Sequence, residues 1–119
     1  MAAAEEKPLV GARYPAISPD GQQIAFSYMG DLWLVSAEGG KAVRLTDHVA
    51  YDRDPVWSPD GKRLAFTSNR MGNNDVFIIS SQGGTPVQLT FHTGDDVATD
   101  FSPDGQWVAF VVGTADVEK

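Results

Sequence analysis

The residues of this chain whose types could bind or react are two histidines, a pair of adjacent aspartates and a few arginines set among turn residues. His48 and His92 each stand three residues after the leucine of a Leu-Thr dipeptide, Leu45-Thr46 and Leu89-Thr90. Near them in the chain lie Tyr51, Arg53, Asn69, Arg70, Asp95 and Asp96. An imidazole can carry a proton or hold a metal. A guanidinium can grip a carboxylate with two parallel bonds, and clustered carboxylates can hold calcium. Each attraction has a plainer rival. Histidines at matching positions argue for a shared loop-stabilising hydrogen bond over catalysis. Asp95, Asp96 and Asp100 lack EF-hand spacing and read as solvated or turn-capping aspartates. Trp33, Trp57 and Trp107 fall on predicted strands, where packing between sheets accounts for them better than a sugar platform does. Arg53 and Arg70 are the exposed side chains best suited to a carboxylate.

Nothing in the pattern resembles a nucleophile elbow, a metal-binding histidine pair or a phosphate-cradling glycine loop. We therefore expect no catalytic residue, no metal and no cofactor, so that this chain is not itself an enzyme. The formal charge is −7, from 16 acidic and 9 basic residues, and the basic ones are scattered. That field repels a phosphate backbone, which argues against nucleic acid as a partner. Most aspartates stand beside Gly, Pro or Asn, which is turn chemistry. No apolar run has the length of a membrane span, so membrane insertion is not expected. The absence of cysteine excludes disulfides and thiolate metal sites. The opening Met1-Ala-Ala-Ala-Glu-Glu lacks the regions of a signal peptide and reads as a mature start left by cleavage at small residues. On that reading the periplasm is favoured over the cytoplasm.

An internal repeat must position these residues. Ser-Pro-Asp-Gly occurs three times, at 18–21, 58–61 and 102–105, spaced by 40 and 44 residues. Asp31-Leu-Trp-Leu-Val-Ser aligns with Asp75-Val-Phe-Ile-Ile-Ser, Gly39-Gly40 with Gly83-Gly84, and Leu45-Thr46 with Leu89-Thr90. From each Leu-Thr leucine to the next Ser-Pro-Asp-Gly is 13 residues. Ser-Pro-Asp-Gly suits a hairpin turn: Ser accepts, Pro presets φ, Asp tolerates the third position and Gly supplies the left-handed one. Glu38-Gly39-Gly40 and Gln82-Gly83-Gly84 are further turns. Between turns lie β-rich segments at Gln23–Tyr28, Asp31–Ser36, Ala42–Thr46, Arg63–Ser68, Asp75–Ser80 and Pro86–Thr90. The strands around Trp33 and Phe77 are apolar on both faces and must be covered on two sides. A four-stranded unit of this period, covered by copies of itself, is a β-propeller blade. The fold class is thus all-β, a propeller segment of two four-stranded antiparallel blades plus half of a third. The organisation expected is 1–12 as an N-terminal segment with a candidate closing strand at Lys7–Val10, 13–53 as blade 1, 54–97 as blade 2, 98–113 as the first half of blade 3 and 114–119 as a tail.

The run Pro55-Val-Trp-Ser-Pro-Asp-Gly-Lys-Arg-Leu-Ala-Phe-Thr-Ser-Asn-Arg70, followed by Asp75-Val-Phe-Ile-Ile and by Gly-Gly and Gln-Leu-Thr, resembles the TolB-type propeller repeat. Arg13-Tyr-Pro-Ala-Ile-Ser-Pro-Asp-Gly and Leu89-Thr-Phe-His-Thr-Gly-Asp-Asp are similar to the N-terminal propeller of tricorn-like peptidases. The resemblance covers roughly residues 13 to 112 and is specific for fold rather than activity. It implies a propeller that filters or docks substrate while other domains do the chemistry, so it transfers no catalytic residue.

Call the strands of a blade a to d from the inside out. Antiparallel pairing then puts the a–b and c–d turns on one face, and the b–c loops with the d–a connections on the other. The second face is the variable one and the candidate ligand-binding face, carrying His48, Tyr51, Arg53, Asn69, Arg70, His92, Asp95 and Asp96. The expected role is a non-catalytic scaffold or binding module for peptide or protein. The alternative is a substrate-filtering N-terminal fragment of a tricorn-like serine peptidase. Glycan binding would need exposed aromatic platforms that the pattern does not supply. An unpaired strand at Trp107–Val112 and apolar blade faces lead us to expect a homo-oligomer or a piece of a larger propeller. The turn assignment is checked by replacing Gly61 or Gly105 with Val. Each variant should lose about 1 kcal/mol or more, and unchanged melting temperatures for both would refute the turns.

Overall fold

The computed structural model describes residues 11–91 and 94–113. The predicted closing strand at Lys7–Val10, His92 and the tail lie outside the described residues. Each Ser-Pro-Asp-Gly turn is built by the same four bonds. The Ser18 carbonyl accepts from the Gly21 N–H at 2.8 Å, with Gly21 at φ +76°. The Ser18 hydroxyl donates to Asp20 Oδ1 at 2.7 Å and accepts from the Gln23 N–H at 3.0 Å. Asp20 Oδ1 also accepts the Gln22 N–H at 2.9 Å. The set recurs through Ser58, Asp60, Lys62 and Arg63 and through Ser102, Asp104, Gln106 and Trp107. Asp therefore does more than tolerate its position, because it ties the serine to the returning strand.

These turns and their partners give ten strands: β1 Arg13–Ile17, β2 Gln23–Tyr28, β3 Asp31–Ser36, β4 Val43–Arg44, β5 Asp52–Trp57, β6 Arg63–Ser68, β7 Asp75–Ser80, β8 Val87–Gln88, β9 Asp95–Phe101 and β10 Val108–Gly113. They form antiparallel sheets β1–β2–β3–β4, β5–β6–β7–β8 and β9–β10. This is a partial β-propeller of two blades and a half-blade. The inner strands of the last two units open at Asp52 and Asp95, ahead of the boundaries at 54 and 98.

The outer strands are shorter than the predicted Ala42–Thr46 and Pro86–Thr90. A side chain takes over the ladder there. The Leu32 N–H donates to Thr46 Oγ1 at 2.9 Å, and the Val76 N–H to Thr90 Oγ1 at 2.9 Å. The Leu45 and Leu89 N–H groups still close on Leu32 and Val76 carbonyls. The Leu-Thr dipeptide thus ends each blade with a hydroxyl in place of a regular main-chain rung.

Two clusters hold the blades face to face. Ala25, Leu32 and Leu34 of blade 1 meet Trp57, Leu64, Phe66, Phe77 and Ile79 of blade 2. One step on, Ala65 and Val76, with Val56 and Ile78, meet Ala98, Phe101, Val108 and Phe110. Trp57 adds a bond across the first interface, its Nε1–H donating to the Ala16 carbonyl at 2.9 Å. Trp107 departs from expectation: it stands before β10 and is 74% exposed. Its repeat partner Arg63 reaches forward to the Gly105 carbonyl at 2.8 Å and lies over Phe101. Trp107 meets no following unit among the described residues, so the inter-blade packing expected of the tryptophans is seen at Trp57.

Successive turns also nest. A Cβ built on Gly61 would meet Pro19 Cδ at 3.9 Å, and one on Gly105 would meet Pro59 Cδ at 3.6 Å. The serine hydroxyl first, then the main-chain N–H, holds Asp20, Asp60 and Asp104 below the usual carboxylate range. A pKa lowered on folding adds stability above the unfolded value, and that stability is lost as pH falls through the folded value. Ser58→Ala should therefore return Asp60 toward the ordinary aspartate range in an NMR titration, leaving Asp20 and Asp104 unmoved. An unaltered Asp60 titration in that variant would refute the serine's part in the turn.

Candidate functional site

The b–c loops and d–a connections meet on one face, as their bonds show. The Asp52 N–H donates to the Gly30 carbonyl at 2.8 Å, and the Asp96 N–H to the Asn74 carbonyl at 2.8 Å. The Tyr51 N–H donates to Asn69 Oδ1 at 2.8 Å, and the Asn74 N–H to Asp95 Oδ1 at 2.9 Å. The candidate residues fall into two groups, one at each junction between units. Tyr51, Arg53, Asn69 and Arg70 gather between blades 1 and 2. Asp95 and Asp96 lie between blade 2 and the half-blade.

Not all of them are available to a ligand. Arg70 is not the exposed side chain expected. It is 12% exposed, and its Nη2 lies 3.0 and 2.9 Å from the two oxygens of fully buried Asp52. Its Nε donates to Ser68 Oγ, and its guanidinium lies over Phe66 and Phe77. A buried charge needs this degree of pairing, so Arg70 is occupied in supporting Asp52 at the foot of β5. Asp96 is fully buried. His48 makes the kind of loop bond anticipated for it: its Nδ1 accepts the Ala50 N–H at 3.0 Å, and its own N–H donates to Asp31 Oδ1.

Tyr51 and Arg53 are different, because strained backbone surrounds them. Among the described residues, left-handed φ at a non-glycine occurs at Tyr14 (+55°), Met29 (+54°) and Asp54 (+56°). Two of them border Tyr51 and the third borders Arg53. Tyr14 lies close enough to act on the Tyr51 hydroxyl. Met29 precedes Gly30, on which Tyr51 rests: a Cβ at Gly30 would meet Tyr51 Cδ1 at 3.6 Å and the Ala50 carbonyl at 3.3 Å. Asp54 is ion-paired with Arg53. Each such residue costs about 1 kcal/mol. Tyr14 and Asp54 each precede a proline within a register shift of the inner strand, β1 against β2 and β5 against β6. A bulge of this kind re-aims a side chain. Burial first, then the Tyr14 hydroxyl, pushes the Tyr51 hydroxyl above its ordinary pKa, while Arg13 and Arg53 pull it the other way.

Sequence reasoning found Tyr51, Arg53 and Asn69 in this group and missed Arg13, Tyr14, Met29 and Asp54. The signal was present. Met29-Gly30 links two strands through two residues, a turn that demands left-handed backbone at both and favours Asn or Gly at the first. The Tyr14-Pro15 and Asp54-Pro55 pairs recur at one repeat position, which marks a shared irregularity.

This chain belongs to the family of tricorn protease N-terminal β-propeller domains, whose model matches residues 11–118. It is similar to YuxL, an uncharacterized peptidase of Bacillus subtilis (strain 168), at 37% identity over 75 residues, covering 55% of this chain and 11% of that protein. Tricorn protease homolog 1 of Streptomyces coelicolor is 38% identical over 60 residues, covering 50% of this chain and 5% of that one. A solved TolB-type structure from Agrobacterium tumefaciens superposes with a TM-score of 0.79 at 26% identity, over 98% of this chain and 42% of that one. The chain thus spans a small part of these peptidase relatives.

The strain at Met29 is open to direct measurement. Asn tolerates the left-handed turn position better than Met, and Met29 is 82% exposed, so little packing is lost. Met29→Asn should raise stability by up to about 1 kcal/mol in denaturant unfolding. A loss of stability in this variant would remove the strain argument.

Proposed function

We propose that this chain is a non-catalytic binding module for peptide or protein, one segment of the propeller that stands before the catalytic part of a tricorn-type hydrolase. The observation that supports this most is the occurrence of three strained residues, Tyr14, Met29 and Asp54, beside Tyr51 and Arg53 on the face that carries the loops. Backbone strain persists where the surroundings over-determine it, and it collects at ligand-holding sites. The same face carries exposed apolar side chains at Met29, Val49, Met71 and Phe91, whereas the opposite face is formed by the tight Ser-Pro-Asp-Gly and Gly-Gly turns. Methionine and aromatic side chains suit adaptable contacts with partners. The serines of the turns serve as hydrogen-bond relays three times over, which explains their presence without a nucleophilic role. As part of the same proposal, the open edge of β10 is where a third strand of its blade would pair, from the same polypeptide or from a second copy.

The test is a titration of the isotope-labelled chain with a mixture of unstructured hexapeptides. Amide shifts should concentrate at Tyr14, Met29, Tyr51 and Arg53, and mass spectrometry should find the peptides intact. Shifts confined to the turn face would overturn the binding site. Peptide cleavage that survives repurification and is lost in a single-residue variant would overturn the non-catalytic reading.

A further inference from the structure

We propose that the open side of β10 takes an extended peptide segment of another polypeptide as an added strand, one that carries an aromatic and a branched aliphatic side chain at alternate positions. This rests on the reading of β10 as an open edge and names the chemistry of the strand that fits it.

The two complete blades share one pairing rule. Opposite Phe26 of β2 stands Trp33 of β3, and opposite Ile24 stands Val35. In blade 2 the same places hold Phe66 with Phe77 and Leu64 with Ile79. Each third strand thus sets an aromatic ring against a phenylalanine and, two residues on, a β-branched residue against an aliphatic one. Residues two apart share one face of a strand. Phe77 stacks on Phe66 with ring centroids 5.8 Å apart, and with Ile79 it belongs to the cluster that joins blade 2 to blade 1. Phe110 and Val108 hold the matching places on β10. There β9 is the one pairing partner among the described residues.

The two inter-blade interfaces differ at these places. Phe66 and Leu64 are fully buried, whereas Phe110 and Val108 are only partly so. Leu34 and Leu45 of blade 1 pack in the cluster that contains Phe77 and Ile79. Their counterparts in blade 2 have no such cover: Ile78 is only partly buried, and Leu89 is 40% exposed. The difference is a groove of about 250 Å³, lined by Ile78 and Leu89 of blade 2 and by Trp107, Val108 and Phe110 of the half-blade. The groove continues the established interface and lies where a third strand would place its aromatic and aliphatic side chains. Removing these side chains from water drives binding, and main-chain bonds to β10 fix the register.

The sequence separates the available occupants. After β10, Asp116-Val117 matches Asp31-Leu32 and Asp75-Val76, and Glu118 then stands where the complete blades have Trp33 and Phe77. An ionised carboxylate is a costly filler for an apolar groove, so that segment is the poorer match. Strands β3 and β7 carry the fitting pattern, but each is paired on both sides within its own sheet. A second copy would have to open a blade to lend one. The fitting strand is therefore a segment that is extended and unpaired before it binds, which is how a peptide adds to a sheet edge.

The probes are two peptides of one composition, titrated into the isotope-labelled full chain and followed by NMR. Acetyl-Lys-Asp-Thr-Phe-Thr-Ile-Ser-Lys amide alternates its apolar residues. Acetyl-Lys-Asp-Thr-Phe-Ile-Thr-Ser-Lys amide sets them side by side, on opposite faces of a strand. The first should shift the amides of Val108–Gly113 and the methyls of Ile78 and Leu89, and it should bind about tenfold more tightly than the second. Leu89→Gln should remove that preference while the amide spectrum stays that of the folded chain. Equal binding of the two peptides, or a preference that survives Leu89→Gln, overturns the added strand. So do cross-strand contacts between β10 and residues 116–119 in the free chain, which give the edge to the chain's own tail. Shifts at β10 that grow with protein concentration give it to a second copy and overturn the proposal as well. Shifts confined to Tyr51 and Arg53 overturn it and leave the loop-face reading standing, whereas shifts at β10 alone support it and count against the loop face. If neither peptide shifts any resonance, both readings fail.

Discussion

The apolar contact between one blade's forward face and the next blade's rear face is the interaction on which the rest of this structure depends. Ala25, Leu32 and Leu34 receive Trp57, Leu64, Phe66, Phe77 and Ile79, and Ala65 and Val76 in turn receive Phe101, Val108 and Phe110. A four-stranded sheet with apolar side chains on both faces cannot bury both alone. Removing this surface from water is the main favourable term available to so thin a sheet. The Trp57 bond to the Ala16 carbonyl fixes that docking at the inner strands.

Stacking in this order brings the Tyr51 group together. No single blade contains it. β1 supplies Arg13 and Tyr14, the β2–β3 turn supplies Met29 and Gly30, and the connection into β5 supplies Tyr51, Arg53 and Asp54. The buried Asp52–Arg70 pair anchors the start of β5 beneath Tyr51. Ser27 reinforces the same point from blade 1, its hydroxyl donating to the Asp52 carbonyl at 2.7 Å. The site is thus a property of the junction, with its strain supported by the apolar interface next to it.

The period of the repeat was legible because its landmarks are obligatory. Ser-Pro-Asp-Gly needs each of its residue types for the bonds it makes, and Gly61 and Gly105 have the positive φ that the hairpin reading required. Strands β2, β3, β6 and β7 could be bounded from their apolar content for the same reason. What sequence did not disclose depends on three-dimensional competition. The lengths of β4 and β8 turn on whether a threonine hydroxyl or a main-chain carbonyl receives a neighbour's N–H. Arg70 and Arg53 look alike in the chain and both read as exposed, and only the fold shows that buried Asp52 claims the first and Asp54 the second. Trp57 and Trp107 occupy different repeat positions, so the packing of one could not be read from the other. Met29 has no polar or charged label to draw attention, and its interest lies in a backbone angle.

The nesting of proline on glycine from one Ser-Pro-Asp-Gly turn to the next has a consequence for how such a chain can change. Pro19 against Gly61 and Pro59 against Gly105 act as a pitch gauge, setting the angular step between blades at one rim. Any lengthening there would propagate to both neighbours and alter the curvature of the ring. On the opposite rim successive units are joined by loop hydrogen bonds, and blade 2 accommodates its longer 69–74 loop without disturbing the register of β6 on β7. The molecule is therefore asymmetric in its tolerance. One rim preserves the geometry of the ring, which leaves the other free to acquire new loops and, with them, new ligands.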